Sequence, residues 1–406
     1  MVTRHDIVVV GAGTAGNSVA SRLHRAGARD IAVVDPWSNH YYQPLWTLVG
    51  GGVARVQHSA RPREKLLPKG SHWIKKAANG VDPEQKLVHL DDGTSVGYGQ
   101  LVMVPGIQLD WDKIPGLRET LGKDGVSSNY RFDLAPLTWD FIQQTHSGTA
   151  VFTMPSGPIK CAGAPQKIAY LACDYWRKQG VLKNIDVHLV IPTPAMFGIP
   201  KFADILKRTA DDYGITVHFE SEMVEVDASS RKATIRKVAT AADAGQTEVL
   251  DYDFMHATPP QSAPDWVKAS PLAGAEDPFG YVEVNKHTLQ HVRYPDVFSL
   301  GDVGNTPNSK TGAAIRKQAP VAAKNMLSAA KGEPLRASYN GYASCPLTLS
   351  RKWLLLAEFD YAMQPTPSNP LPWPDTTEPV IDYNLFKRVG LPVMYWNLML
   401  KGRYAC

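Results

Sequence analysis

Cysteine is scarce in this 406-residue chain, and the spacing of the four that are present excludes several kinds of site. No two of them form a CxxC pair and no HExxH motif occurs among the twelve histidines, so no metal site is predicted. Four cysteines are also too few for a disulfide scaffold in a chain of this length. Because cytosolic thiols are normally reduced, any working disulfide would have to be catalytic.

Long apolar runs and basic stripes are missing as well. No stretch approaches the roughly 18 uninterrupted apolar residues of a membrane-spanning helix. The net charge is only +4, and lysine and arginine form no stripe, so nucleic-acid binding is not predicted. The first residues, MVTRHDIVVVGAG, lead straight into a strand and show no signal peptide, so we expect a protein on the cytosolic side.

A dinucleotide-binding pattern opens the chain in DIVVVGAGTAGNSVASRLHRAGARDIAVVDP. Residues 7–10 predict a buried parallel strand, a GxGxxG turn follows, and residues 18–26 predict the next helix. The second strand ends in Asp35, where a carboxylate accepts hydrogen bonds from a ribose and disfavours a 2′-phosphate. The ligand is therefore FAD or NAD. The turn residues predicted to bind it are Gly11, Gly13, Ala15 and Gly16.

A second pattern, YPDVFSLGDVGN at residues 294–305, predicts a strand that ends in Gly301 and Asp302. In flavoprotein oxidoreductases with two dinucleotide domains, a late strand–Gly–Asp segment returns to the first domain, and its aspartate bonds the FAD ribityl chain. This resemblance favours FAD over NAD. The alternative is an aspartate that only caps a turn.

Such enzymes normally insert a second unit that binds NAD(P)H. Here the corresponding place begins with a predicted strand at 150–154 and a predicted helix at 164–178, but the glycine fingerprint is absent between them. Pro155 and Pro158 lack the backbone N–H groups that a pyrophosphate needs, and Cys161 occupies the space. We therefore predict a second Rossmann-like domain without a functional nucleotide fingerprint.

Cys161 has the features of a reactive thiol. Pro165 fits the first turn of the helix, so the sulfur is expected near the positive end of the helix dipole. Lys160 and Lys167 add cationic charge nearby. Both effects lower the pKa of a thiol. The alternative is that Cys161 is simply a small buried hydrophobic residue.

The other cysteines differ in their context. Cys345 lies in GYASCPLT, a turn-like context in which its sulfur could be accessible to a partner. It is 184 residues from Cys161, so a redox pair formed by the two cysteines would join two domains. Cys173 lies at helical spacing from apolar neighbours and predicts core packing. Cys406 is the last residue, and no role is assigned to it.

Over nearly its whole length the chain resembles the sulfide:quinone oxidoreductases, in particular the branch that includes the mitochondrial enzymes. The resemblance is carried, in order, by HYYQPLWTLVGGG (40–52), GIQLDWDKIPGL (106–117), KCAGAPQK (160–167), HATPPQSAPD (256–265), YVEVNKHTLQHVRYPDVFSLGD (281–302), SKTGAA (309–314), YASCPL (342–347), LAEFDY (356–361) and YWNLMLKG (395–402). Blocks of this length in this order are not expected by chance.

The resemblance implies an FAD-dependent enzyme that oxidises sulfide and reduces ubiquinone or a related quinone. Cys161 and Cys345 match the family's two redox-active cysteines, which are bridged at rest by a disulfide or an extra sulfur. Sulfide would attack the bridge, leave a persulfide on Cys345 and free Cys161 as a thiolate that reduces the flavin. A small thiol or sulfite-type acceptor would then take the sulfur. We expect Lys160, or the helix terminus, to stabilise the Cys161 thiolate.

The resemblance also implies further contacts to the cofactor and the membrane. Lys310 would lie against the isoalloxazine, the alternative being a solvated surface lysine. The C-terminal segment has the sequence LFKRVGLPVMYWNLMLKGRY, in which aromatic and basic residues such as Lys387 surround a short apolar core. This pattern suits a segment that lies at a lipid interface. The alternative is a core helix. The remaining residues predicted at the FAD site are Gln43, Pro44 and Gly106. Those predicted to line a quinone pocket are Phe359, Tyr361, Phe386, Met394 and Tyr395.

These observations predict an α/β protein with two Rossmann-like domains, the second without a nucleotide fingerprint, and a C-terminal membrane-associating region. The expected divisions are 1–107 for the first part of the FAD domain, 108–280 for the second domain, 281–330 for the return to the FAD domain, and 331–406 for the C-terminal region. We expect a peripheral, monotopic membrane protein, on the cytoplasmic face of the inner membrane if bacterial. A homo-oligomer is left open.

Three other functions compete with this prediction. A type II NADH:quinone oxidoreductase is opposed by the missing second fingerprint and by the paired cysteines. The flavoprotein subunit of a flavocytochrome c sulfide dehydrogenase should be exported, and no signal peptide is seen. The third alternative is not an enzyme: the chain could be a flavin-containing binding module without turnover. The binding function of such a module would not depend on Cys161 or Cys345.

Overall fold

The computed structural model describes residues 2–368, 375, 377–381 and 386–403; Cys406 and the side chain of Phe386 lie outside this part of the chain. The helices are α1 (Thr14–Arg25), α2 (Trp46–Gly50), α3 (Leu117–Thr120), α4 (Leu134–Gln144), α5 (Ala164–Gln179), α6 (Pro200–Tyr213), α7 (Asp265–Lys268), α8 (Gly312–Ala330) and α9 (Leu391–Met394). Helix α9 lies between two π-helical turns, Phe386–Gly390 and Tyr395–Met399.

The first sheet has seven strands, and its centre is parallel and buried. Val8 and Val9 are completely buried, which explains the continuous β-branched run in the sequence. In spatial order six of the strands are His72–Ile74, Ile31–Val34, Val2–Val10, Ser95–Met103, Leu87–Leu90 and Ala78–Asp82. The seventh, Val297–Ser299, pairs with the last residues of Ser95–Met103, so the return segment completes the sheet begun by the N-terminus.

The second sheet has five parallel strands in the spatial order Val126–Ser127, Phe254–His256, Gly148–Thr153, Ile185–Val190 and Thr216–His218. Helices α5 and α6 follow its third and fourth strands, in the β–α–β order of a Rossmann-like unit. The smaller antiparallel sheets are formed by Ser221–Asp227, Lys232–Lys237 and Thr247–Asp251; by Ala343–Thr348, Trp353–Phe359 and Val380–Ile381; by Asn39–Tyr41 and Ala60–Pro62; and by Gln108–Leu109 and Gln261–Ser262.

Helix α1 begins at Thr14, earlier than the sequence predicts. The sequence pattern started the helix after Gly16, because glycine has a poor helix propensity. In the structure Gly16 lies in the first turn of α1, and a Cβ there would fall 1.8 Å from the carbonyl oxygen of Gly11. Gly11 itself has a φ of +97°. Both glycines are therefore required for the helix to close tightly on the turn.

Two large hydrophobic clusters organise the packing. One packs α1 and α8 on the first sheet. The other packs α5 and α6 on the second sheet, and it includes Cys173, as predicted, together with Cys345. The strand Ala343–Thr348 therefore packs against the second domain rather than in a separate C-terminal core. This packing brings Cys345 towards the turn that carries Cys161.

The C-terminal segment packs on α1, with its largest side chains turned inward. The Oγ of Ser21 donates a hydrogen bond of 2.7 Å to the carbonyl oxygen of Leu400. Lys387 is buried too. The prediction that these aromatic and basic residues lie at a lipid interface is therefore wrong for the buried ones, because composition alone does not give the direction of a side chain. The inward residues are Tyr395, Trp396, Met399 and Leu400.

The other face of the same segment is exposed. Its apolar side chains in contact with solvent are Val389, Val393 and Leu398. Among the residues that the structure describes, no helix has both the length and the hydropathy needed to cross a bilayer.

Candidate active site

Two sulfur atoms from distant parts of the chain meet beside the amino end of α5. The Sγ of Cys161 lies 3.8 Å from the Sγ of Cys345. A disulfide bond is about 2.05 Å long, so a movement of about 2 Å would bring the two atoms to bonding distance. Gly163 makes room for the pair, since a Cβ there would fall 2.7 Å from the sulfur of Cys345. The residues predicted to form a redox pair are therefore neighbours in space.

The backbone of Cys161 is held in an unusual conformation. Its φ is +54°, in the left-handed region that side chains other than glycine rarely adopt. The N–H of Cys161 donates to the carbonyl oxygen of Lys310 at 2.9 Å, and its own carbonyl accepts from the N–H of Ala164 at 2.8 Å. Such strain costs about 1–3 kcal/mol and persists only where surrounding contacts enforce it, most often at functional sites.

Cys345 lies in a strand, not in the turn that the sequence predicts. It pairs with Ala357 in the neighbouring strand and is buried. The following Pro346 suggested a turn, but Ala343–Thr348 is the outer strand of its sheet, where the missing N–H of a proline leaves no ladder bond broken. A strand holds the sulfur in a more fixed direction than a turn would.

Lys167 is the cation in contact with the sulfur atoms. Its Nζ donates a hydrogen bond of 2.9 Å to the Sγ of Cys161. The hydrogen bond from the Cys345 thiol, together with the charge of Lys167, holds the pKa of Cys161 well below its usual value despite burial. The same hydrogen bond and burial raise the pKa of Cys345 well above its usual value. Both shifts favour a thiolate at Cys161 and a thiol at Cys345.

Lys160 does not occupy the place predicted for it. Its Nζ lies 5.9 Å from the ring centre of Trp46 and 5.8 Å from that of Tyr130, and the hydrogen bond to the Cys161 sulfur comes from Lys167 instead. Burial lowers the pKa of Lys160 to about 8, and the charge of Asp302 opposes this. Adjacent residues in a strained turn point in different directions, and sequence proximity to Cys161 was a poor guide. Lys167 was the better candidate, since it follows the turn by one helical turn of α5.

A second buried lysine approaches the pair from the C-terminal segment. The Nζ of Lys387 donates to the carbonyl oxygen of Pro346 at 3.1 Å. Burial lowers the pKa of Lys387 well below its usual value, and the nearby charge of Lys167 lowers it further. Sequence reasoning treated Lys387 as a surface residue, because nothing in its local pattern distinguishes it from Arg388.

The GxGxxG turn fits the pyrophosphate of a dinucleotide. A Cβ on Gly13 would meet no atom within 4 Å, so the space in front of the turn is open. Among the residues that the structure describes, no side chain caps the amino end of α1, so its first N–H groups are available to bind phosphate. Asp35 orders this turn: its carboxylate accepts from the N–H of Ala12 at 2.7 Å and pairs with Arg63 at 3.2 Å. Its bond to a ribose stays a prediction.

The second motif lies directly beside the first. A Cβ on Gly301 would fall 3.4 Å from the Cβ of Ala15, so the two segments meet at the same end of the first sheet. Burial raises the pKa of Asp302, against the charges of Lys310 and Lys160. Lys310 is buried, which rules out the solvated alternative. Its Nζ donates to a backbone carbonyl at 2.8 Å and lies 3.8 Å from the ring centre of Tyr281.

The remaining residues predicted at the FAD site stay predictions. Gln43 and Pro44 are exposed in the short 3₁₀ turn Gln43–Leu45, just ahead of α2. Gly106 follows the strand Ser95–Met103 with a φ of +86°, and a Cβ there would meet no neighbouring atom. All three leave open space for a ligand.

The residues predicted to line a quinone pocket are divided between the two hydrophobic clusters. Phe359 packs against Phe197 in the second cluster, with ring centres 5.6 Å apart. Tyr361 packs against the first cluster, and its hydroxyl donates to a backbone carbonyl at 2.8 Å. Tyr395 is buried in the first cluster, where its hydroxyl bonds Thr14 at 2.8 Å. Met394 is half-buried on α9. Phe359 and Tyr395 therefore belong to different cores.

Comparison with known proteins agrees with this geometry. Residues 5–325 match the family described as pyridine nucleotide-disulphide oxidoreductase. The mitochondrial sulfide:quinone oxidoreductase of Dictyostelium discoideum is 41% identical over 98% of this chain and 86% of its own length. That of Mus musculus is 37% identical over 99% of this chain and 87% of its own length.

A solved structure shows the same fold. The sulfide:quinone oxidoreductase of the hyperthermophilic bacterium Aquifex aeolicus superposes with a TM-score of 0.81 at 17% identity, covering 99% of this chain and 92% of that one. With its glycine turn, its paired cysteines and this similarity over the full length, the chain belongs to the pyridine nucleotide-disulphide oxidoreductase family and, within it, to the sulfide:quinone oxidoreductases.

Proposed function

We propose that this protein oxidises sulfide to sulfane sulfur at Cys161 and Cys345 and passes two electrons through FAD to a quinone. The observation that carries the proposal is the 3.8 Å approach of the two sulfurs, with opposite pKa shifts and with the Nζ of Lys167 at 2.9 Å from the sulfur of Cys161. Two thiols made so unequal are suited to thiol–disulfide exchange, in which one sulfur leaves and the other keeps the new bond.

The inequality of the thiols assigns their roles. In the bridged form, hydrosulfide attacks the sulfur of Cys345, a new S–S bond forms there, and the bond between Cys345 and Cys161 breaks. The electron pair of the broken bond leaves with Cys161, because the thiol with the lower pKa is the better leaving group. The Nζ of Lys167 stabilises the resulting thiolate. Cys345 keeps the persulfide, from which a small thiol or sulfite-type acceptor removes the sulfane sulfur.

FAD, when bound, supplies a two-electron acceptor that a quinone reoxidises. Lys160 and Lys310 have pKa values lowered to about 8, so they retain positive charge at neutral pH, and both charges act on the buried carboxyl group of Asp302. The residues proposed to hold the cofactor are Gly11, Gly13, Ala15, Gly16, Asp35, Gln43, Pro44, Gly106, Gly301, Asp302 and Lys310.

Anaerobic mixing of the FAD-loaded protein with sulfide or with NADH tests this function. We expect sulfide to bleach the flavin absorbance and NADH to leave it unchanged. Pro155 and Pro158 remove N–H donors from the turn where a second pyrophosphate would bind, and a Cβ on Gly157 would fall 2.8 Å from the ring of Phe279. Bleaching by NADH but not by sulfide would instead identify an NADH:quinone oxidoreductase.

We also propose that the exposed face of the C-terminal segment contacts the membrane surface from which the quinone is drawn. Val389, Val393 and Leu398 are exposed on this face, and the flanking Arg388 and Arg403 are exposed as well. Apolar side chains flanked by basic ones suit a shallow position among lipid headgroups.

Replacing Val393 and Leu398 together by aspartate is expected to weaken membrane binding. Each apolar side chain taken into lipid contributes about 1.5 kcal/mol, so the double variant should lose about 100-fold in partitioning onto vesicles that contain anionic lipid. Co-sedimentation with such vesicles measures this. Val292→Asp is the matched control, since Val292 is equally exposed but lies far along the chain from this segment. The proposal would be contradicted if the control lost as much vesicle binding as the double variant, or if the double variant lost none.

A further inference from the structure

The side chains of two histidines and an aspartate come together at three adjacent strands of the first sheet. His5 lies in Val2–Val10, Asp30 immediately precedes Ile31–Val34, and His72 begins His72–Ile74. These strands are direct neighbours in the sheet. One ligand atom from each of the three side chains lies within 4.8 Å of the other two. The proposed redox chemistry does not use this cluster.

We propose that His5, Asp30 and His72 bind a divalent transition-metal ion, with zinc as the ion that fits best. Imidazole nitrogen and carboxylate oxygen are ligands that zinc prefers. Tetrahedral zinc, with bonds of about 2.1 Å, separates its ligand atoms by about 3.4 Å. The Oδ1 of Asp30 lies 2.6 Å from the Nδ1 of His5 and 3.9 Å from the Nε2 of His72, distances on either side of this value.

The aspartate is oriented for such a role. Its Oδ2 accepts a hydrogen bond of 3.0 Å from the backbone N–H of Asp6, which turns Oδ1 towards both histidines. Contacts of this kind, behind the ligand atoms, fix the direction of metal-binding side chains. The ring centres of His5 and His72 are 5.0 Å apart, close enough for one ion to lie within reach of both rings.

The site is open to solvent on one side. The side chain of His72 is 60% exposed, whereas that of His5 is only 15% exposed. An ion bound there would have three protein ligands and a fourth position for water. His5 also precedes Gly11 by six residues along the same strand, a distance of about 20 Å. The ion would therefore link three strands without touching the flavin or the cysteines.

Zinc titration by calorimetry, using the oxidised FAD-loaded protein in buffer free of sulfide and thiols, tests the site. We expect one zinc ion to bind per chain. His72→Ala should weaken this binding by about 100-fold or more, because it removes one of three ligands. It should leave flavin content and sulfide-dependent flavin bleaching unchanged. Zinc should also raise the melting temperature of the wild type but not that of His72→Ala.

Two controls separate this site from other zinc-binding groups. His146 is exposed and lies outside the cluster, so His146→Ala should bind zinc as the wild type does. Cys345→Ser should also keep the binding, which excludes the thiol of Cys345 as a ligand. The proposal is overturned if the wild type binds no zinc, if His72→Ala binds it as tightly as the wild type, or if only Cys345→Ser loses it.

Discussion

Replacing Cys161 by serine is expected to slow sulfide-dependent flavin reduction by about 10³-fold or more, with FAD still bound. Removing the sulfur of a catalytic thiol removes the step that it performs, and losses of this size are usual for such residues. Serine cannot form the bridge to Cys345 or leave as a stabilised anion. Anaerobic stopped-flow at 450 nm measures the rate, and the flavin spectrum before mixing measures cofactor retention.

The chain supplies a matched control for this loss. Cys173 is buried in the second hydrophobic cluster, and burial raises its pKa, so it is an inert thiol. Cys173→Ala should retain most of the rate, whereas Cys345→Ser should lose as much as Cys161→Ser. A fast reaction in Cys161→Ser, or a loss in Cys173→Ala comparable to that in Cys345→Ser, would refute the assigned pair.

Replacing Lys167 by glutamine is expected to slow flavin reduction about 10²-fold at neutral pH, the usual cost of removing one charged donor from a developing anion. Lys167 helps to keep the pKa of Cys161 low, so without it the pKa rises and less thiolate is present at neutral pH. The deficit should shrink as the pH is raised and the thiol ionises. The pH profile of the bleaching rate should therefore move to higher pH.

Three further variants show whether charge at this position is responsible. Lys167→Arg keeps the charge and should keep most of the rate at neutral pH. Lys160→Gln should leave the pH profile in place, because its Nζ lies over aromatic rings rather than at the sulfur. The charge of Lys167 lowers the pKa of Lys387, so Lys387 can become protonated once Lys167 is replaced. The double variant Lys167→Gln/Lys387→Gln should therefore show a larger shift of the pH profile than Lys167→Gln alone. A shifted profile in Lys160→Gln alone would return the role to Lys160.

The parts of the fold that could be predicted are those specified by local sequence. The buried strand before Gly11, the helix after it and the Gly301–Asp302 segment depend on short-range steric rules, and the structure places them together. The start of α1 was predicted too late, because the need for glycine at position 16 arises from contact with Gly11 and not from helix propensity.

The parts that could not be predicted depend on long-range contacts. The sequence did not show which of Lys160 and Lys167 contacts the sulfur, because the turn holds Cys161 at a φ of +54°, which no sequence pattern specifies. Cys345 was assigned to a turn because Pro346 follows it, and only the outer position of its strand explains why proline is tolerated. A metal site was excluded on motif spacing, yet the ligands of the proposed zinc site come from separate strands that only the sheet brings together.

The hydroxyl of Tyr395 has a consequence for biogenesis. It bonds Thr14 in the glycine turn, 381 residues earlier in the chain, and also His40 at 2.6 Å. Amino-terminal segments fold first during synthesis, but this turn gains its contact with Tyr395 only after the segment that carries Tyr395 has been made. Flavin capture should therefore follow the synthesis of that segment, and nascent chains stalled before Leu391 should carry no flavin.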